Sequence, residues 1–349
     1  MKHSRRNILV VRLSALGDVA MTIPAIYSVA TVYPQHTFHV VTTSPCDQLF
    51  VASPANIILH PFEHSKICGV AGTLRLLSHI RALRIDSVAD LHNVLRSWMI
   101  DAYCLVCRKS VRMLNKQRHK RRSILQRQAS ADTPYTMRYF DVFAHLGLPC
   151  KPQFSSLYAH ALPALPEGFL KRPQTAWIGV APFARYANKT YPIEKMHKAV
   201  LQLIASGGKE IFLFGSKGKE ALLLNEWCRD SSQVHCVAGL LPLNKELALM
   251  SHLDVMVTMD SANMHLASLV GVRVISIWGG TIPACGFLGW GQNEADTLIA
   301  NSPCQPCTIA GKNDCRYGNF HCLMSITPED IFNKVDNIIH KKQRCEKRH

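Results

Sequence analysis

The chain has 349 residues and carries 40 Lys and Arg against 24 Asp and Glu, a formal net charge of +16 at pH 7. Hydrophobic residues make up 48% and charged residues 18% of it, which excludes a disordered or fibrous protein and allows a sizeable core. Two domains are expected at this length, and the basic excess predicts an anionic partner: nucleic acid, a membrane surface or a phosphorylated substrate.

The cysteines and the N-terminus indicate the compartment. The 13 cysteines are an odd number spread through apolar stretches, so we expect reduced thiols rather than a disulfide framework. No apolar run reaches the roughly 18 residues that a membrane-spanning helix needs. The basic N-terminus is similar to that of a signal peptide, but Arg12 and Asp18 interrupt its apolar segment. We therefore expect a cytoplasmic protein, peripheral to the membrane at most.

The first elements along the chain are a strand, a glycine turn, a helix and a second strand. Asn7 to Leu13 is a short β-branched apolar run, typical of a buried parallel strand. Apolar residues at helical spacing follow Asp18, a second strand is expected at Phe38 to Thr42, and a third ends near Asp90. The first domain is predicted to extend over residues 1–165.

The same alternation restarts in the second half, over residues 174–327. It indicates an α/β fold with two Rossmann-like, doubly wound domains facing across a cleft, joined where prolines cluster between Leu162 and Pro173. A helix from Pro328 and a basic tail are expected over 328–349. The predicted strands are Trp177–Ala181, Glu210–Phe214, Val234–Val237, Val255–Thr258 and Val272–Trp278, and the predicted helices Ile193–Ile204, Lys219–Cys228, Lys245–Ser251 and Ala262–Leu269.

The segment from Arg108 to Arg127 has the most unusual composition. It contains nine Lys or Arg, and no acidic residue occurs between Asp101 and Asp132. A solvated helix face normally mixes signs, so this segment is predicted to bind anions and is assigned to the first domain. The alternatives are a disordered basic loop or a surface helix without a partner. The segment lacks Phe, Tyr and Trp, which disfavours a stacking platform for nucleic acid.

Common nucleotide motifs are not matched. Gly215, Gly218 and Lys219 are similar to a phosphate loop, but Leu213 occupies the first glycine position and Glu220 replaces the required Ser or Thr. Neither leading strand is followed by G-x-G-x-x-G, and no H-E-x-x-H or nucleophile elbow occurs. These mismatches disfavour two functional classes, the P-loop enzymes and the dinucleotide-dependent oxidoreductases.

Two strand-to-helix turns carry candidate functional residues. Asp18 ends the turn after the first strand, at the sheet edge where doubly wound folds bind ligands. The alternative is that Asp18 only caps the helix. Asp260 and Ser261 follow the strand at Val255, where helix-start N–H groups favour a diphosphate, and His265 lies one turn further. The alternative there is a capped helix with a packed histidine.

Taken together, these segments resemble glycosyltransferase family 9, the ADP-heptose:lipopolysaccharide heptosyltransferases. The family's strand, Gly-Asp turn and Pro-Ala helix are matched by Ile8 to Ala25, and its Asp-Leu-x4-Arg-Ser segment by Asp90 to Ser97. Its Asp-[Ser/Thr]-Gly-x-x-His-Leu-Ala signature is matched by Asp260 to Ala267, except that Ala262 stands where glycine is usual. The Cys-Gln-Pro-Cys tail, Cys304 to Glu329, is also typical. The resemblance implies GT-B architecture.

The resemblance also assigns roles by position. Asp18 is the expected general base and Lys189 the expected diphosphate contact. Glu220 is expected on the donor ribose, and the main chain of Gly239, Leu240 and Leu241 around adenine. Asp260, Ser261, Ala262 and His265 are expected in the donor diphosphate and sugar site. Ala262 is the position at which this chain departs from the family's donor-site pattern, because glycine relaxes the backbone where N–H groups converge and alanine tolerates positive φ poorly.

We further expect basic residues to bind the phosphorylated acceptor: Arg96, Lys116, Arg118, Lys120, Arg121 and Arg122. Cys304, Cys307, Cys315 and Cys322 have the spacing C-x2-C-x7-C-x6-C. That spacing allows a structural zinc, but the family chemistry requires no metal, and paired C-x2-C knuckles are more usual, so zinc is not favoured.

The predicted function is inverting transfer of heptose, or a related sugar, from an ADP-sugar to the lipopolysaccharide inner core, with no required cofactor. The enzyme is expected to be cytoplasmic and peripheral on the inner membrane, with an anionic membrane surface and a lipid A-core acceptor as partners. Two alternatives remain: a nucleotide-sugar enzyme that does not act on lipid, such as an epimerase, and a nucleic-acid-binding protein using residues 108–127.

Overall fold

The computed structural model describes residues 5–128 and 131–346. It divides the chain into two compact units. The first consists of Gln117 and the described residues before it, together with Thr133–Leu157. The second consists of the described part of Arg118–Asp132 and the described residues from Tyr158 onward. No helix in either described range is long and apolar enough to cross a membrane.

The first unit is built on five parallel strands in the order β3-β2-β1-β4-β5. Its central strands are buried because their β-branched and aromatic residues pack on both faces. The strands are β1 (Asn7–Val11), β2 (Thr37–Thr43), β3 (Ile57–Phe62), β4 (Ser87–Asp90) and β5 (Ser110–Met113). The helices, numbered along the whole chain, are α1 (Leu16–Val32), α2 (Gly69–Ala82), α3 (Leu95–Val106) and α5 (Tyr135–His145).

The second unit is built on six parallel strands in the order β11-β10-β9-β6-β7-β8. The strands are β6 (Ala176–Ala181), β7 (Lys209–Leu213), β8 (Val234–Cys236), β9 (Val255–Met259), β10 (Val274–Trp278) and β11 (Thr297–Ile299). The helices are α4 (Arg118–Leu125), α6 (Ile193–Ala205), α7 (Lys219–Trp227), α8 (Leu243–Met250), α9 (Ala262–Leu269), α10 (His321–Met324) and α11 (Pro328–Glu346).

Each sheet reverses its strand order once. In the first unit the chain runs outward from β1 to β3 and returns to β4 on the other side of β1. In the second it runs from β6 to β8 and returns to β9 beside β6. Doubly wound sheets bind ligands beyond the carboxyl ends of the strands at such a reversal. The predicted fold class, two Rossmann-like parallel sheets, is confirmed, and the turns after β1, β4, β6 and β9 become the candidate site.

The structure differs from the sequence analysis at the domain boundaries. Arg118–Asp132, assigned from sequence to the first domain, groups with the second unit. The reason is packing: Ile124 of α4 clusters with Cys285 and Ile309, and the backbone N–H of Asp132 donates to the carbonyl of Ala284 at 2.8 Å. Residues 158–165 also belong to the second unit. Of the predicted basic tail, residues 347–349 lie outside the described residues.

Candidate active site

The turn after β1 holds Asp18 in the first turn of α1. The N-cap residue of this helix is Ala15, and a carboxylate oxygen of Asp18, Oδ2, lies 3.4 Å from the Ala15 backbone N–H. The same Oδ2 pairs with the Nη2 of Arg12 at 2.8 Å. Asp18 is therefore not the N-cap residue itself, and its carboxylate is held from one side by a cation.

Arg12 is a residue of this candidate site to which the sequence assigned no role. Its side chain is 7% exposed, whereas that of Asp18 is 38% exposed. The Nη1 of Arg12 donates to the carbonyl of Leu91 at 2.7 Å, which ties the end of β1 to the end of β4. Burial disfavours the charged guanidinium, but interactions with the Tyr139 phenol and with the carboxylates of Asp18 and Asp90 outweigh burial and raise the pKa of Arg12. Arg12 thus remains a cation at all physiological pH values.

This arrangement leaves one oxygen of Asp18 open. Within residues 5–128 and 131–346, no hydrogen-bond or ion-pair partner contacts its Oδ1. A carboxylate with one oxygen held by a cation and the other without a partner, on a side chain that is 38% exposed, could accept a proton from a bound hydroxyl group.

The turn after β4 is organised by Asp90, which is fully buried. Its Oδ1 accepts backbone N–H bonds from His92 and Asn93 at 2.8 and 2.9 Å, and its Oδ2 accepts the hydroxyl of Ser97 at 2.7 Å. These bonds fix the start of α3, and with it the position of Arg96. The family pattern quoted above contains Asp90 and Ser97, but it did not reveal that they form one hydrogen-bonded turn.

A cavity of about 640 Å³ lies at this reversal point, entirely within the first unit. Burial, together with the positive charges of Arg12, Lys116 and Arg96, lowers the pKa of His92 to about 3. The imidazole at the cavity wall is therefore neutral at physiological pH. The lining residues are Leu13, Ser14, His64, Gly69, Val70, Thr73, Leu74, His92, Val94, Leu95, Arg96 and Met99.

The predicted acceptor cations are divided between the two units. Arg96 lines the cavity, but the Nζ of Lys116 donates to the backbone carbonyl of Asn93 at 2.6 Å and so supports the turn. Arg118, Lys120, Arg121 and Arg122 lie on α4, in the second unit. Residues 108–127 therefore comprise the edge strand β5 of the first unit and the helix α4 of the second unit, so their assignment to the first domain alone is wrong, while anion binding by these residues stays a prediction.

In the second unit, Lys189 after β6 and Asp260 after β9 form a buried ion pair. The Nζ of Lys189 lies 2.7 Å from Oδ2 of Asp260, and the two side chains are only 11% and 4% exposed. The hydroxyl of Thr281 donates to the same oxygen at 2.7 Å. Gly311 lies against the stem of Lys189, where a Cβ atom would stand 2.5 Å from Cε. Two residues 71 positions apart in sequence thus meet at the reversal point of the second sheet.

The start of α9 adds backbone donors beside this pair. Ser261 is the N-cap residue in extended conformation (φ −141°, ψ 179°), and its hydroxyl lies 3.2 Å from that of Thr258. Ala262 begins the helix and is not among the described residues with positive φ. The freedom of glycine to adopt positive φ is therefore not needed at position 262, because this position is helical. His265 is buried one turn further along α9.

The loops after β7 and β8 lie side by side. Oε2 of Glu220, in the first turn of α7, accepts the backbone N–H of Ser216 at 2.7 Å. Gly239 has φ +63°, and a Cβ there would stand 2.2 Å from Cγ of Lys217, so only glycine fits. Leu240 and Leu241 follow, with Leu240 66% exposed. The residues expected around ribose and adenine are thus on adjacent loops.

Cys304, Cys307, Cys315 and Cys322 line one small cavity together with Asn188 and Gly280. Within the described ranges, however, no three His, Cys, Asp or Glu side chains form a group that could hold a metal ion. The segment instead supports the Lys189 loop, because Cys307 N–H donates to the Gly280 carbonyl at 3.0 Å and Gly280 N–H to the Asn188 carbonyl at 2.8 Å.

Residues 73–318 match the sequence profile of glycosyltransferase family 9 (heptosyltransferase), more than half of the chain. The chain belongs to glycosyltransferase family 9. It is therefore a glycosyltransferase, and the resemblance found in its motifs is confirmed. Asp18 lies before the matched residues, so its assignment depends on the motif and on the geometry described above.

Individual relatives of this family 9 chain are distant. The curated Escherichia coli lipopolysaccharide heptosyltransferase 3 is 22% identical over 280 residues, covering 76% of this chain and 81% of that protein. The E. coli heptosyltransferase WaaC solved with ADP is 17% identical, with a TM-score of 0.71 over 95% of this chain and 99% of its own. The structure of E. coli ADP-heptose lipopolysaccharide heptosyltransferase II is 19% identical, with a TM-score of 0.66 over 97% of this chain and 99% of its own. These structures confirm the GT-B fold.

Proposed function

We propose that this chain is an inverting glycosyltransferase that transfers heptose, or a closely related sugar, from an ADP-sugar to the lipopolysaccharide inner core. The family supplies the reaction class, and relatives are named as lipopolysaccharide heptosyltransferases or were solved with ADP and with ADP-2-deoxy-2-fluoro heptose. The observation that carries the proposal is the pair of ionic contacts at the two sheet reversals, Arg12 with Asp18 and Lys189 with Asp260.

The second unit binds the donor in this proposal. The ammonium of Lys189 has three donors, of which Asp260 uses one, so two remain to contact a diphosphate as a compact positive charge. Backbone N–H groups at the start of α9 add partial positive charge at the same place. Glu220 contacts the ribose, and the backbone from Gly239 to Leu241 surrounds the adenine.

The first unit supplies the base. Oδ1 of Asp18 accepts the proton of the acceptor hydroxyl as that oxygen forms a bond to the anomeric carbon of the donor. The bond from this carbon to the diphosphate breaks on the opposite side, and ADP departs with the bonding electrons. A single displacement of this kind inverts the anomeric configuration. Because the sugar gains oxocarbenium character, the ionised carboxylate and the cationic diphosphate site both contribute most in the transition state.

The acceptor is proposed to enter the cavity beside His92 and Arg96. A neutral imidazole, a guanidinium and apolar walls fit a phosphorylated sugar attached to a lipid better than a free sugar. The nucleic-acid alternative is disfavoured because the basic segment from Arg108 to Arg127 lacks the aromatic side chains of a stacking platform. We propose that the enzyme acts in the cytoplasm, at the inner membrane.

A donor screen tests this function. Purified protein is incubated with lipopolysaccharide that lacks heptose and with ADP-heptose, ADP-glucose or UDP-glucose, and products are identified by mass and anomeric configuration. We expect a heptose mass increment from ADP-heptose alone, with inverted configuration, and no product from Asp18→Asn. Transfer from UDP-glucose but not ADP-heptose, or retention of configuration, contradicts the proposal.

A further inference from the structure

The solvent-facing sides of α2 and α3 are unusually apolar. Every exposed residue of α3 is apolar, including Met99 at 39% and Val106 at 83%, and α2 adds Val70 and Leu74, which are 79% and 61% exposed. Both helices belong to the first unit. The α2–α3 surface, as we call it, consists of Val70, Leu74, Leu95, Trp98, Met99, Ala102, Leu105 and Val106.

The core of the unit does not account for these residues. Leu76 and Ile80 on α2, and Ile100 and Cys104 on α3, already form the buried stripes of the two helices. A helix that is apolar on its core face and also on its outer face is normally covered by something else. Contiguous exposed apolar side chains of this kind mark interaction sites.

The charges around the surface identify the class of partner. Cationic side chains occur along both helices and at their ends, whereas α2 has no acidic residue and the only acidic residue of α3, Asp101, is buried. An isologous contact between two copies of the chain would bring like charges together, which is unfavourable. An apolar surface with a basic border is instead complementary to an anionic bilayer. The cationic residues are Arg75, Arg81, Arg96, Arg108 and Lys109, whereas the ammonium of Lys66 is paired with Glu63 at 2.6 Å.

The surface is continuous with the cavity beside the candidate base. Val70, Leu74, Leu95 and Met99 line that cavity together with Ser14 of the β1–α1 turn. A lipid-linked molecule held at the bilayer surface would therefore reach the cavity along an apolar wall. That use of the surface depends on the proposed function, whereas its affinity for lipid does not.

We propose that the α2–α3 surface is the membrane-docking site of this enzyme. The apolar side chains of α3 enter the interface of an anionic bilayer, and the arginines of α2 bind headgroup phosphates. This assigns membrane contact to the first unit rather than to the basic helix α4.

Vesicle co-sedimentation of the full chain tests the apolar part. The variant Leu105→Ser/Val106→Ser changes residues that are 56% and 83% exposed and do not line the cavity. Burying a leucine-sized side chain is worth about 1.5–3 kcal/mol, so we expect at least a tenfold loss of partitioning into vesicles of phosphatidylethanolamine and phosphatidylglycerol. The matched control, Leu170→Ser/Leu222→Ser, changes residues 80% and 69% exposed in the second unit and should bind as the parent does.

A second pair of variants tests the charge part. Arg75→Gln/Arg81→Gln should weaken binding to the anionic vesicles severalfold for each arginine, since a basic residue near such a surface contributes about 1 kcal/mol. Binding to pure phosphatidylcholine vesicles should not change. Charge reversal of Arg118, Lys120 and Arg122 on α4 should leave anionic vesicle binding intact.

The proposal is overturned if Leu105→Ser/Val106→Ser binds vesicles as the parent does, whether or not its oligomeric state changes. It is also overturned if charge reversal of Arg118, Lys120 and Arg122 on α4 alone abolishes vesicle binding. A change of oligomeric state without a change in lipid binding would show instead that the surface joins two copies of the chain. A delipidated acceptor oligosaccharide separates this proposal from the proposed function. The α3 variant should glycosylate it as fast as the parent does. If neither the parent nor the α3 variant glycosylates the oligosaccharide or the intact acceptor, the proposed function is wrong. The vesicle-binding measurement still tests the docking site in that case, because it does not depend on activity.

Discussion

The two sheet reversals carry the same kind of contact, a basic side chain paired with a carboxylate, but in opposite states of exposure. In the first unit the cation is buried and the carboxylate of Asp18 is 38% exposed, with one oxygen open. In the second, Lys189 and Asp260 are both buried, at 11% and 4%. The first arrangement presents a proton acceptor, and the second a fixed positive charge. The difference therefore predicts a division of labour between chemistry and donor binding.

The largest effect should follow from Asp18→Asn. The amide keeps the shape of the side chain but cannot take a proton, so turnover should fall by about 10²–10⁴. The readout is kcat from steady-state kinetics with ADP-heptose. Asp47→Asn, on an acidic residue outside the cavity lining, is the control and should retain parent turnover. Turnover within threefold of the parent for Asp18→Asn would eliminate Asp18 as the base.

Breaking the second pair should mainly affect stability. Asp260→Asn leaves the ammonium of Lys189 buried without its counter-charge, which typically costs about 3–5 kcal/mol. The free energy of unfolding is measured in urea. The double variant Lys189→Met/Asp260→Asn should recover part of that loss, because it removes both charges. A single-variant loss below about 1 kcal/mol would mean that the pair is more hydrated than its burial indicates.

The contribution of the Arg12–Asp18 pair to turnover should depend on the geometry of the pair as well as on its charge. Arg12→Lys retains a positive charge but cannot bond to Asp18 and to the Leu91 carbonyl from one planar group. Misplacing the base by about 1 Å can cost up to about 10²-fold, so we expect turnover to fall about 10- to 100-fold with ADP affinity unchanged. Turnover should fall further in Arg12→Met, because this variant removes the positive charge as well. Parent-like turnover in Arg12→Lys would show that charge alone is sufficient.

The most gradual expected effect, spread over several pH units, concerns Asp101, which is 3% exposed. Burial, and then the charge of Asp90, raise its pKa to about 8. In the unfolded chain its pKa is about 3.9, so between those values the folded state holds an extra proton. Stability should therefore decrease as pH rises from about 4 to 8, by at most about 1.4 kcal/mol per pH unit. Asp101→Asn should lose this slope in urea unfolding, and an unchanged slope would refute the assignment.

The sequence predicted which residues lie at the ends of buried strands. It did not predict how buried their side chains are or which groups they contact. Asp18 and Asp260 follow apolar runs that predict parallel strands, and carboxyl ends of parallel strands meet at one edge. The roles of Lys189 and Glu220 were predicted only from the resemblance to glycosyltransferase family 9. The burial of Arg12 depends on a contact 79 residues away, which no local pattern contains. Asp90 and Ser97 stand seven residues apart within one motif, but the motif does not show that they share a hydrogen bond. The unit to which α4 belongs depends on Ile124 packing against Cys285 and Ile309.

The central claim is that the base lies at the first reversal and the donor charge at the second. Calorimetric titration of ADP into the parent, Asp18→Asn and Lys189→Ala tests it most directly. A base acts in the transition state, so ADP should bind Asp18→Asn within a few-fold of the parent, whereas losing the ammonium should weaken ADP binding to Lys189→Ala by about tenfold or more. Unchanged ADP affinity in Lys189→Ala, or a large loss in Asp18→Asn, would contradict the account.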